Sequence, residues 1–108
     1  MNQQLLKGHS QLLILAALHK RPMHGYALSE FLKEEMAETF KFGVGMLYPL
    51  LHKLEKDKYI VGHWEETAGL RKRVYRLTKQ GKRELREKKQ EWSNMSLLVR
   101  NIINYAAI

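Results

Sequence analysis

The sequence predicts a mainly α fold with one small β-hairpin, and three observations carry that reading. Apolar residues recur at helical spacing in four stretches. Two β-branched and aromatic runs flank one short, Gly-containing connection. Positive charge gathers around the third helical stretch and that connection. A chain of 108 residues is one compact domain, able to bury about 65% of its unfolded surface. With 44% hydrophobic and 28% charged residues, its composition is that of a globular protein and not of a disordered one.

The first helix is built on Leu12, Leu13, Leu15, Ala16 and Leu18, apolar almost all round and so a central buried element. It stops before Arg21-Pro22, because proline disfavours helical backbone at the residue before it. A second helix is expected from about His24 to Ala37, burying Leu28, Phe31, Leu32 and Met36 and leaving Glu30, Glu34, Glu35 and Glu38 in water. Thr39-Phe40-Lys41-Phe42 alternates and reads as a very short strand. After Gly43-Val44-Gly45, Leu47, Leu50, Leu51 and Leu54 form the apolar stripe of a third helix. A start near Met46 places Pro49 in its first turn, where no intrahelical N–H is lost. Its outer face carries Tyr48, His52, Lys53 and Lys56.

Tyr59 to Glu66 and Lys72 to Thr78 read as strands joined through Thr67-Ala68-Gly69-Leu70, a hairpin with Arg71, Lys72 and Arg73 at its tip. Thr78 is placed to cap a last helix, which runs from Lys79 towards Ala106, roughly 40 Å at 1.5 Å per residue. Its first half is charged. Its second half spaces Trp92, Met95, Val99, Ile102 and Ala106 by threes and fours, with Ile103 beside them, the seam of a two-helix coil. So small a domain offers that seam little to pack against, and a second copy of the chain is the economical partner. Residues 1–78 and 79–108 thus divide into a reading module and a dimerisation helix within one unit.

Charge narrows the function. Nineteen Lys and Arg against eleven Asp and Glu leave +8, which favours polyanionic partners. The absence of cysteine excludes disulfides, a thiolate nucleophile and cysteine-bound zinc, and suits a reducing cytoplasm. The longest apolar run, Leu12 to Leu18, falls short of the ~20 residues of a membrane span, and no leader opens the chain. His9, His19, His24, His52 and His63 form no ligand pair with a carboxylate on one helix face, so no metal is expected. No phosphate-binding glycine loop, nucleophile elbow or metalloprotease motif is present, so neither an enzyme nor a cofactor is expected.

The order helix, helix, short strand, helix, hairpin is that of a winged helix-turn-helix with a long C-terminal dimerisation helix. Such modules set the third helix in the major groove and the wing on flanking phosphates. Tyr48, His52 and Lys53 on the helix, Lys41 before it and Arg71, Lys72 and Arg73 on the wing are the candidate DNA contacts. Tyr48 lies off the leucine stripe, where its hydroxyl reads as a phosphate donor rather than a packed group. His52 and Lys53 suit base edges or phosphates equally.

The chain also resembles the PadR family of bacterial transcriptional regulators over nearly its full length. The match runs through Leu5-Leu6-Lys7-Gly8, Pro22 with His24-Gly25-Tyr26, and Gly45-Met46-Leu47-Tyr48-Pro49-Leu50-Leu51. It continues through Leu54-Glu55, Trp64-Glu65 and Tyr75-Arg76-Leu77-Thr78 with Gly81. The resemblance implies a dimeric winged-helix repressor joined through its C-terminal helix, with Tyr48 at the DNA backbone. Similar short-tailed members include multidrug sensors in which a tryptophan of that helix stacks on flat drugs at the dimer interface. Trp92 matches that tryptophan, as a drug platform or as a dimer-core ring. Met46 stands where many members have Ser or Thr, and Val74 where an aromatic is common. Ser96 replaces an acid of some drug-binding relatives, so the resemblance does not extend to a preference for cationic ligands.

The expectation is therefore a homodimeric, cytoplasmic repressor on an inverted-repeat double-stranded operator, released by a flat aromatic or phenolic ligand at Trp92 and Ser96. Rival readings are a winged-helix adaptor for protein or RNA partners, and a small-molecule binder without an operator.

Overall fold

The computed structural model describes residues 8–36, 44–106 and 108. Their order is α1 (Ser10–Lys20), β1 (Met23–His24), α2 (Gly25–Glu35), α3 (Val44–Lys56), β2 (Ile60–Thr67), β3 (Leu70–Leu77) and α4 (Lys79–Ile103). The strands form one antiparallel sheet in the order β1-β3-β2. The strand expected at Thr39–Phe42, the contact assigned to Lys41 and the end of the second helix at Ala37 lie outside the described residues.

The apolar periodicities converge on one core. Ile14, Leu15, Ala17 and Leu18 of α1 are buried against Leu28 and Leu32 of α2, Leu47, Leu51 and Leu54 of α3, and Ile60, Tyr75 and Leu85. Ala16, read as part of an all-round apolar helix, is exposed. Each buried leucine contributes about 1.5–3 kcal/mol, so the core follows from the stripes themselves.

Three boundaries differ from expectation. β1 has only two residues, too few to show alternation, yet it pairs Met23 with Tyr75 and His24 with Val74. His24 therefore stands just outside the second helix and caps it: its backbone is extended, and Nδ1 accepts the Ala27 N–H at 3.2 Å. α3 begins at Val44, two residues before Met46, so Pro49 falls in its second turn. The carbonyl left without its N–H there is that of Gly45, which is exposed to water. At the other end α4 stops at Ile103, leaving Ala106 beyond the helix.

The junctions are tightly specified. α3 ends with Lys58 in the left-handed region (φ 65°); Tyr59 N–H returns to Leu54 O and Lys58 N–H to Glu55 O, a helix stop that usually employs glycine. Ala68 (φ 53°) and Gly69 (φ 76°) make the two-residue turn of the β2–β3 hairpin, whose handedness fits the strand twist. Thr78 caps α4 as expected, its Oγ1 accepting Gly81 N–H at 3.0 Å and donating to Lys58 O at 2.7 Å. Gly81 is seated so closely on the residue before β2 that a Cβ there would fall onto the Tyr59 carbonyl oxygen. The Glu84 carboxylate beside it holds the Tyr59 phenol above its ordinary pKa.

Beyond Leu85 the last helix leaves the core. The molecule measures 59 × 29 × 20 Å, with a radius of gyration of 15.9 Å, against about 13 Å for a compact chain of this length. Among the described residues no helix is long and apolar enough to cross a membrane.

Candidate nucleic-acid interface

A groove of about 510 Å³ opens between α3 and the β2–β3 wing. Tyr48 and His52 line it from α3, Trp64 from β2, Arg71, Lys72, Arg73 and Tyr75 from β3, and His24, Gly25 and Tyr26 from the start of α2. The leucine stripe fixes this arrangement: with Leu47, Leu51 and Leu54 in the core, Tyr48 and His52, each one position on from a core leucine, emerge together on one flank of α3.

Five of the seven sequence-selected contacts meet here: Tyr48, His52, Arg71, Lys72 and Arg73. Lys53 is exposed on α3 but does not line the groove. Tyr48 is 38% exposed, and its ring lies on Gly25, where a Cβ would come within 2.7 Å of the hydroxyl oxygen. The glycine of His24-Gly25-Tyr26 is thus the seat of this tyrosine.

Arg71 stacks over Trp64 with its guanidinium 4.8 Å from the ring centroid. Arg73 lies 5.6 Å from Trp64 and 5.9 Å from Tyr75. These contacts hold cations at the groove wall while leaving an aromatic surface beside them. The Arg73 Nη2 also donates to Glu55 Oε2 at 2.7 Å. On the wing, cations of β3 face acids of β2: Arg71 pairs in register with Glu66 and Lys72 with Glu65. Arg76 reaches Glu65 at 3.2 Å. His24 is held below its ordinary pKa of 6.5, first by loss of surrounding water and then by the Lys72 charge. Its imidazole is therefore neutral near pH 7, with Nδ1 occupied by the Ala27 N–H.

Sequence reasoning missed His24, Gly25, Tyr26, Trp64 and Tyr75 as groove residues. Counting back from the Ala68-Gly69 turn would have placed Trp64 directly opposite Arg73, so its stacking role was available from the hairpin register. Tyr26 gives no periodic signal, and only the fold brings it beside the wing.

The far end of α4 presents a second surface. Trp92, Met95, Val99, Ile102 and Ile103 are all exposed, at 44–68%, together with Leu97 and Leu98, which the seam did not include. Trp92, Met95, Ser96, Val99, Arg100 and Ile103 border a groove of about 300 Å³. On its other side Trp92 borders a cavity of about 450 Å³ with His9, Leu12, Leu50, Lys88 and Glu91, its ring 6.3 Å from that of His9.

Comparison with known proteins places this architecture. The family model described as "Transcriptional regulator PadR-like family" matches residues 14–87. A Bacillus subtilis protein named negative transcriptional regulator PadR is 32% identical over 75 residues, covering 68% of this chain and 41% of that protein. Among solved structures, a PadR-like transcriptional regulator from Bacillus cereus is 32% identical with a TM-score of 0.82, covering 93% of this chain and 96% of that one. A transcriptional regulator from Clostridium thermocellum is 25% identical with a TM-score of 0.83, covering 100% and 99%.

Proposed function

Because the chain belongs to the PadR-like family of transcriptional regulators, we propose that it is a homodimeric repressor of an inverted-repeat operator. Membership makes it a DNA-binding regulator and not an enzyme. The observation that carries the finer reading is the groove joining Tyr48 and His52 of α3 to Arg71, Lys72 and Arg73 of the wing. With α3 in the major groove, Tyr48, His52 and Lys53 meet base edges and backbone, while the wing reaches the adjoining phosphates.

Residues 1–78 form the reading module in this proposal, and 79–108 pair two modules through the exposed seam of α4. Two-fold symmetry then sets half-sites about 34 Å apart or at a multiple of that. The two hollows flanking Trp92 fall in the size range of small-ligand sites. A flat aromatic or phenolic effector stacked on Trp92 beside Ser96 would change the spacing of the two modules. Such an effector acts only through its different affinities for the two arrangements. The site of action is the cytoplasm, where the operator is.

The test is selection from a random duplex pool at about 150 mM salt, where sequence-blind binding is weak. A repressor enriches a palindromic duplex, bound ~10³-fold or more above random DNA. An adaptor for protein or RNA partners enriches none.

A further inference from the structure

The three consecutive cations of the wing are not equivalent. A single carboxylate oxygen, Glu55 Oε2 on α3, accepts both the Arg73 Nη2 at 2.7 Å and the Gly62 backbone N–H at 3.0 Å. One acid therefore ties the third helix to both strands of the hairpin. Its pair with Arg73 is sheltered, the side chains being 33% and 27% exposed, and the guanidinium lies across Gly62 between the rings of Trp64 and Tyr75. By contrast, among the described residues neither Arg71 nor Lys72 is ion-paired, and the Glu65 opposite Lys72 is engaged by Arg76.

We propose that Glu55 and Arg73 form a brace fixing the angle of the wing against α3, so that Arg73 is a positioning residue while Arg71 and Lys72 meet phosphate. This rests on the DNA-binding reading above. Simple charge counting gives no reason for an acid beside a polyanion-binding face, because its field opposes DNA. The acid is accounted for by holding rigid what the cations on either side must present. Exposed ion pairs alone contribute little, but a charge-assisted bond that also engages a backbone amide and a stacked guanidinium has a defined geometry to enforce.

The brace and the charge count make opposite predictions for Glu55→Gln. Removing the negative charge should tighten DNA binding if charge alone matters, and weaken it about fivefold if the brace sets the wing, within the range found for coupled contacts. Fluorescence anisotropy on a random-sequence duplex of about 30 base pairs, between about 50 and 200 mM salt, reads both affinity and its salt slope. Arg73→Ala is expected to weaken binding with the slope unchanged, whereas Arg71→Ala lowers the slope by about one. Arg73→Lys, which keeps the charge but not the planar fork, should also bind about fivefold more weakly. It decides the matter if Glu55→Gln does not fold. Tighter binding by Glu55→Gln, wild-type affinity in Arg73→Lys, or a slope lowered by about one in Arg73→Ala overturns the brace and leaves DNA binding standing. A wild-type chain that binds no duplex overturns both.

Discussion

Lys58 shows how one backbone angle records a compromise. Its φ of 65° ends α3, in a conformation that costs an L-residue about 1 kcal/mol. Lys58→Gly is therefore expected to stabilise the chain by about 0.5–1 kcal/mol in urea unfolding. An unchanged midpoint would mean that the cap bonds, not the side chain, set the strain. His24 gives a pH dependence of known sign. Its folded pKa lies below the unfolded value of 6.5, so the unfolded chain takes up the proton first. Stability contributed by the neutral ring is complete above about pH 6.5 and declines as pH falls towards the folded pKa. Protonated Nδ1 also cannot accept the Ala27 N–H. Unfolding followed from pH 8 to pH 5 should show this decline, and His24→Asn, which keeps a capping acceptor without a titration, should flatten it. Legibility at this scale was uneven. Thr78 was readable because capping is local, whereas His24 as a cap needed knowledge of β1, and Glu55 as the partner of Arg73 needed a contact 18 residues away.

Among the elements, the helices were legible and the smallest strand was not. The stripes of α2 and α3 state which side faces inward, and that of α4 states its extent, so the spacing rules recovered all three to within a few residues. β1 exists only because β3 offers Tyr75 and Val74 to pair with, a tertiary cause that leaves no pattern in two residues. The seating of α4 is equally non-local. Gly81 and Leu85 are its buried anchors, and Gly81→Ala would drive a methyl group into the Tyr59 carbonyl. We expect a loss of about 3 kcal/mol, at the upper end for overpacking. A thermal midpoint within a degree of wild type would show that α4 shifts freely over β2. Pro49 was placed one turn too early, since the glycines before it look like a break and Gly45 is in fact helical.

For the molecule as a whole, the exposed apolar run along α4 is the feature that a single chain does not account for. Thirteen large hydrophobic side chains are exposed among the described residues, and nine lie from Trp92 onwards. A soluble monomer rarely displays so continuous a patch. Replacing Val99 and Ile102 together by Asp should convert a dimer into a monomer in light scattering while helicity up to Leu85 persists, and operator binding should fall with it. A variant that remains dimeric would move the interface away from this seam. The sequence made this surface visible because steps of three and four need no fold to be counted. It did not reveal the hollow that Trp92 shares with His9 and Leu50, which depends on how α1, α3 and α4 meet.

The brevity of β1 has a further consequence. It covers β3 only at Val74 and Tyr75, so among the described residues the strand from Leu70 to Arg73 is hydrogen-bonded by β2 alone, with its other flank open. Unpaired strand flanks invite another chain to add on and begin aggregation. Here that stretch carries Arg71 and Lys72, neither of them ion-paired among the described residues, and their like charges repel a second copy brought alongside. The residues that suit the wing to a polyanion thus also keep the folded protein from polymerising through its own sheet.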